Sequence, residues 1–140
     1  MITSYNMNIT ELRLIDANLN RLREGIRVVE DIFRYVYNDK NIASKLKELR
    51  HKSRIAIYDE LLDSRDIKND VLKETTKSEK SRDDLNSILI ANFKRAQESS
   101  RVLEEVCKLE ENNSSEVFKY IRYELYDLEK ALTKITSNSK

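Results

Sequence analysis

Apolar residues spaced four and three apart run through most of the chain. The first set, Ile15, Leu19, Leu22, Ile26, Val29, Phe33 and Val36, is the seam of a helix packed lengthwise on partners. A second seam reads Ile42, Leu46, Leu49, Ala56 and Ile57, and a third Leu89, Phe93, Ala96, Ser100, Leu103 and Cys107. The fourth is Phe118, Ile121, Leu125, Leu128, Leu132 and Ile135. They predict helices over about 11–37, 41–62 and 84–110, and from Ser114 or Ser115 onward. Asn38-Asp39 is the turn signal after the first, and Asp84 is the expected N-cap of the third. Periodicity stops over 63–83, which predicts a crossover loop; 1–10 reads as a loose arm and 137–140 as a tail. The expected architecture is one all-α domain over 1–140, a four-helix bundle of two helical hairpins joined by the long loop.

A second stripe runs beside the first seam: Asn18, Arg21, Gly25, Val28 and Ile32. Gly25 is the only glycine, and mid-helix it costs roughly 1 kcal/mol relative to alanine. Such a position needs the missing side chain because a backbone or ligand comes close. The stretch then recurs. Residues 90–108 lie over 16–34 without a gap, pairing Ala17/Ala91, Asn18/Asn92, Arg21/Arg95, Glu24/Glu98, Arg27/Arg101, Val28/Val102 and Glu30/Glu104. Shared packing explains the matching apolar residues. It does not explain matching asparagines, arginines and glutamates, which point to a site.

Charged residues are 36% and apolar residues 39% of the chain, with no proline, a profile that suits helices and gives sheets little to use. The net charge of +1 recruits no nucleic acid globally. No apolar run approaches a membrane span, and the lone Cys107 on a seam fits packing in a reduced, cytoplasmic setting. One glycine excludes phosphate-cradling glycine loops, and one histidine with one cysteine excludes the common zinc clusters. His51 reads as a helix-surface or interhelical residue. What remains is arginine and carboxylate. A ladder of surface ion pairs accounts for Glu24, Glu30 and Arg34 but poorly for Asn18, Arg21 and Gly25 beside the seam. Two such stripes brought together would line a polar cleft with Asn18, Arg21, Asn92, Lys94 and Arg95, whose planar forks grip phosphate. Asp16, Glu24 and Glu98 would then hold magnesium against bound phosphates.

The stretches DANLNRLREGIRVVED, SRDIKNDV and ANFKRAQESSRVLEE resemble the signature of a small all-helical family of hydroxymethylpyrimidine-phosphate kinases. Its members stand alone or are fused to thiamine-phosphate synthase, and the resemblance implies the standalone form here. It also implies transfer of the γ-phosphate of ATP, with magnesium, to 4-amino-5-hydroxymethyl-2-methylpyrimidine phosphate, the free alcohol being no substrate. Arg21, Arg27, Arg95 and Arg101 would bind phosphates, with Asp16 or Glu98 at the metal. The crossover loop, with Arg65, Asp66 and Asp70, would act as a lid, and Asp70 or Asp66 would orient the acceptor. The family pattern has a glycine where this chain has Leu72, and Glu-Ala-Leu-Arg where it has Glu98-Ser99-Ser100-Arg101. A homo-oligomer is expected. The rival readings are a non-catalytic helical dimerisation or scaffold module and another ATP-using transferase on a helical bundle.

Overall fold

The computed structural model describes residues 8–54, 58–74, 82–109 and 114–138, and among these only helices and turns occur. The helices are α1 (Ile9–Asp31), α2 (Lys40–Lys52), α3 (Tyr58–Ser64), α4 (Leu85–Val106), α5 (Ser114–Glu129) and α6 (Ala131–Asn138). No helix of the described residues is long and apolar enough to cross a membrane.

Local chemistry sets the helix ends. Asn8 caps α1 and Glu11 reaches back to it, so the helix starts two residues before its expected edge and takes in part of the presumed arm. Residues 1–7 lie outside the described ones. Asp84 caps α4 as expected, with Ser87 completing the box. The first helix does not run regularly to Tyr37. It widens into a π-helical turn, Ile32–Val36, and reaches Asn38 at φ 52° before Asp39 caps α2. The inserted residue moves the seam on by one. Val36, expected inside, is 49% exposed, and Tyr37 packs on the core in its place.

Two expected helices are broken. The second ends at Lys52, where the buried Ser53 donates its hydroxyl to the Arg50 carbonyl and so competes with the helical ladder. The chain resumes as α3, while Ala56 and Ile57 lie outside the described residues. The fourth breaks at Lys130, whose carbonyl accepts from both the amide and the hydroxyl of Thr133; α6 then runs through Asn138, into the expected tail. Of the crossover loop, 65–74 forms turns, and 75–81 lies outside the described residues.

Helices α1 and α4 form the central pair. Gly25 of α1 faces Asn92 and Ala96, whereas Asn18 and Arg21 share a cleft wall with Ser99 and Val102. Early residues of one helix meet late residues of the other, so the pair is antiparallel. Helices α2 and α3 pack on α1, and α5 packs on α4. The seams meet in one core built on Ile15, Leu22, Ile26, Phe33, Leu46, Leu49, Leu89, Phe93, Leu103, Phe118 and Ile121. Burial of such side chains contributes about 1.5–3 kcal/mol each. Cys107 is buried in this core, as its place on the seam predicts.

The repeat also builds the two hairpins alike. Buried Glu30 takes a bidentate grip from Arg50 of α2, at 2.7 and 3.1 Å. Its counterpart Glu104 accepts two hydrogen bonds from Arg122 of α5 on the single oxygen Oε1, at 3.1 and 2.9 Å. These glutamates tie a motif helix to the next helix and are not rungs of a surface ladder.

A Cβ added at Gly25 would stand 3.1 Å from the Asn92 carbonyl oxygen and 3.4 Å from the Cβ and amide nitrogen of Ala96. The oxygen belongs to the backbone of a buried helix and cannot swing away. Gly25→Ala therefore gains roughly 1 kcal/mol of helix propensity but incurs overpacking of about 1–3 kcal/mol. The expected outcome by denaturant titration is a net loss on the order of 1 kcal/mol. A more stable variant would show that α4 can move aside.

Candidate functional site

The antiparallel crossing opens a cleft of about 920 Å³ along its flank. Asn18 and Arg21 of α1, with Arg95, Glu98, Ser99 and Val102 of α4, form its floor. Ile67, Lys68, Asp70, Leu72 and Lys73 of the segment after α3 form its roof, and Arg82 stands before α4. A smaller cavity of about 370 Å³ adjoins it, sharing Asn18, Arg21, Ile67 and Asp70 and reaching Arg13, Asp16, Arg65 and Asp66.

The repeat explains the floor. Asn18 and Asn92 donate their side-chain amides back to the Leu14 and Ile88 carbonyls, at 3.0 and 2.9 Å, so both hold the same pose on their helices. Arg27 pairs with Asp31 on its own helix, and Arg101 pairs with Glu104 and Glu105 on its own. Arg21 and Arg95 differ from these. They are equivalent, both face the cleft, and neither forms a salt bridge among the described residues. The cleft holds five cationic side chains, Arg21, Lys68, Lys73, Arg82 and Arg95, against the carboxylates of Asp70 and Glu98. An almost neutral chain thus carries a local positive field suited to polyanions.

The roof is fastened to α1. Arg65 clasps Asp16 through two hydrogen bonds of 2.8 Å, and Arg13 donates to the Asp66 carbonyl at 2.9 Å. Asp66 accepts from the backbone and side-chain amides of Asn69, bonds that hold its carboxyl below the ordinary carboxylate range. Asp70 accepts from the Leu72 amide at 3.0 Å. Leu72 does not have positive φ, so this turn does not require the family's glycine.

Several expected site residues therefore lie elsewhere or are engaged differently. Arg27 and Arg101 do not line the cleft, because each is drawn to acids of its own helix. Lys94 turns toward α5 and pairs with Glu129, and Asn92 presents its backbone carbonyl to Gly25. Among the three carboxylates expected at a metal, Asp16 is held by Arg65, Glu24 is exposed outside both cavities, and Glu98 alone lines the larger one. No group of three or more potential metal ligands converges among the described residues. Arg65 and Asp66 shape the roof, so of the three residues expected to be catalytic only Asp70 lines the larger cleft. His51 stands apart, beside Ser44, Lys47, Glu48 and Lys52; burial, then Arg54, Arg50 and Lys47, hold its pKa below the usual value. The sequence does not single out Lys68, Lys73, Arg82 or Ser99 as cleft residues. The first three lie in the aperiodic segment, and Ser99 stands where the repeat puts a small residue opposite Gly25.

The ThiD2 family profile matches residues 13–131. The thiamine-phosphate synthase of Thermosynechococcus vestitus is 40% identical over 122 residues, which cover 86% of this chain and 35% of that protein. That of Synechocystis sp. is 39% identical over 121 residues, with 86% and 35% covered. That of Rhodopirellula baltica is 38% identical over 122 residues, with 84% and 32% covered. The chain thus spans about a third of the length of these relatives. No solved structure matches it.

The clasp gives a direct test of roof attachment. Asp16 is buried whereas Arg65 is partly exposed, so solvent screening reduces what the pair contributes. Arg65→Ala should lower stability by about 1–2 kcal/mol in chemical unfolding. It should also speed proteolytic cleavage within 66–73, because one of the two side chains that tie this segment to α1 among the described residues is then lost. Unchanged cleavage would show that the clasp does not hold this segment.

Proposed function

We propose, for a chain that belongs to the ThiD2 family, that it transfers the γ-phosphoryl group of ATP to 4-amino-5-hydroxymethyl-2-methylpyrimidine phosphate. The product would be the diphosphate used in thiamine synthesis. The observation that carries this reading is the pair Arg21 and Arg95, two equivalent guanidinium groups that form no salt bridge among the described residues, opening on one cationic cleft. A kinase whose acceptor already bears a phosphate must neutralise that phosphate as well as those of the nucleotide. The relatives' names support the pathway: a synthase that consumes the pyrimidine diphosphate would be served by a domain that makes it. A scaffold has no use for open arginines facing a cavity of this size.

The chemistry asks little of the protein beyond placement. A terminal oxygen of the acceptor phosphate forms the new bond to the γ-phosphorus, the bond from that phosphorus to the β,γ-bridging oxygen breaks, and ADP leaves with the electron pair. A phosphate monoester has its second pKa near 6, so at neutral pH the attacking oxygen already lacks its proton and no general base is needed. Phosphoryl transfer then depends on positioning and charge neutralisation. Asn18, Arg21, Arg95 and Ser99 supply hydrogen-bond donors from two helices, and Ile67, Leu72 and Val102 supply apolar contact for a flat ring. Magnesium is ordinarily held by one or two carboxylates plus substrate phosphates, and Glu98 and Asp70 fit that sparse set. When bound it would offset phosphate charge.

Arg21→Ala and Arg95→Ala should each change the ligand-free stability by no more than a few tenths of a kcal/mol, since neither holds an ion pair. Each should abolish the rise in melting temperature caused by the pyrimidine phosphate. A large loss of stability with the ligand-induced rise retained would make them structural residues.

Acceptor choice tests the reaction itself. An acceptor lacking the phosphate leaves guanidinium groups unmatched, and discrimination built on missing hydrogen-bond partners reaches about 10⁴–10⁵. In a coupled assay for ADP release, the monophosphate should support turnover and the free alcohol almost none. Equal rates would point to a generic kinase. ADP release with neither, from folded protein, would favour the scaffold.

A further inference from the structure

The cleft has one pair of equivalent arginines below and a segment that occurs once above, and a reaction between two different phosphorylated molecules requires a difference between its two ends. We infer that Lys68, Lys73 and Arg82 hold the polyphosphate of the donor nucleotide, while Arg21 and Arg95 hold the phosphate of the acceptor. This assignment rests on the kinase reading above.

The floor presents one guanidinium group twice. Arg21 and Arg95 occupy equivalent places on α1 and α4, so these two groups alone cannot tell a donor from an acceptor. The roof has no counterpart in the other half. It is a single segment, fixed to the α1 side by Arg65 on Asp16 and by Arg13 on the Asp66 carbonyl. The roof therefore gives the arginine pair a polarity that the two guanidinium groups do not have by themselves.

Charge and side-chain type agree. A triphosphate carries more negative charge than a monoester, and three of the five cations, Lys68 and Lys73 of the roof and Arg82 before α4, lie outside the arginine pair. Lysine is a mobile point charge on a long stem, suited to following a flexible polyphosphate. Arginine on a helix is a planar fork, suited to fixing one phosphate for in-line reaction. Lys68 and Lys73 form no ion pair among the described residues, so their charge is available to a ligand. The backbone beneath them is held by the Asp66–Asn69 and Asp70–Leu72 turns, so the stems move on a fixed base. Ile67 and Leu72, 72% and 85% exposed, stand beside these lysines on the same wall, where an aromatic base could cover them.

The test is calorimetric titration of folded wild type, Lys68→Ala/Lys73→Ala and Arg82→Ala with inorganic triphosphate, magnesium-ATP and the pyrimidine monophosphate. Circular dichroism checks that each variant remains helical. The expected result is a loss on the order of tenfold in affinity for triphosphate and ATP in the double variant, with the monophosphate affinity unchanged. Turnover should show the same division, as a raised KM for ATP and an unaltered KM for the acceptor. Triphosphate binding unaffected by the double variant, or an equal loss for triphosphate and monophosphate, would overturn the assignment. So would wild-type protein that does not bind triphosphate. Inorganic triphosphate separates this inference from the kinase reading. Wild type that binds it through the lysines yet releases no ADP with any acceptor would sustain a polyphosphate wall and defeat the kinase.

Discussion

One contact decides where everything else lies: the Asn92 carbonyl oxygen of α4 stands 3.1 Å from where a Cβ on Gly25 of α1 would be. Only a residue without a Cβ lets two helices approach this closely with no backbone adjustment. The approach fixes the crossing point, and the crossing point fixes which residues share a flank. Asn18 and Arg21 then fall on the same side as Arg95 and Ser99, and the cleft is a consequence of the crossing. A wider spacing would leave two arginines on two separate helix surfaces.

The second constraint sorts the charges of the repeat. Glu30 and Glu104 are buried, and each is held by an arginine of the following helix, Arg50 or Arg122. Such pairs add little net stability, because desolvation offsets attraction, yet losing one partner costs about 3–5 kcal/mol. They therefore fix how each hairpin aligns. Arg27 and Arg101 are occupied by acids on their own helices. Of the two arginine pairs that match across the repeat, Arg21 and Arg95 are the one that forms no salt bridge among the described residues. The site emerges as the remainder after structural charge pairing is complete.

Much of this was legible in the chain. Apolar spacing marks the long helices, Asp84 marks the start of α4, and the gapless repeat marks Arg21, Arg95 and Gly25 as unusual. The breaks were not legible. Ser53 and Lys130 sit within continuous apolar periodicity, and only the bonding of Ser53 and Thr133 to nearby carbonyls shows why the helices stop. The π turn is hidden for the same reason, since one inserted residue leaves the composition unchanged. Charge was the hardest to read. Helical spacing cannot distinguish a glutamate bound to its own helix from one bound to an arginine on the next, and Asp16 meets Arg65 only after α2 and α3 have turned the chain back. Lys68, Lys73 and Arg82 carry no periodic signal, so nothing short of the fold places them over the floor.

The division between a doubled floor and a single roof has a chemical sense under the proposed reaction. Duplicating a helix that presents an arginine yields two guanidinium groups at one crossing, held in place because both helices are packed along their length. Such a pair suits two substrates that both end in phosphate. It also needs no histidine in the cleft, because a phosphate oxygen that attacks another phosphorus arrives without a proton to remove. What duplication cannot supply is direction, since equivalent arginines treat both ends of the reaction alike. Direction must come from a part of the chain that occurs once. Among the cleft walls, one such part is the segment from Arg65 to Lys73, which Asp16 and Arg13 hold over one side of the arginine pair.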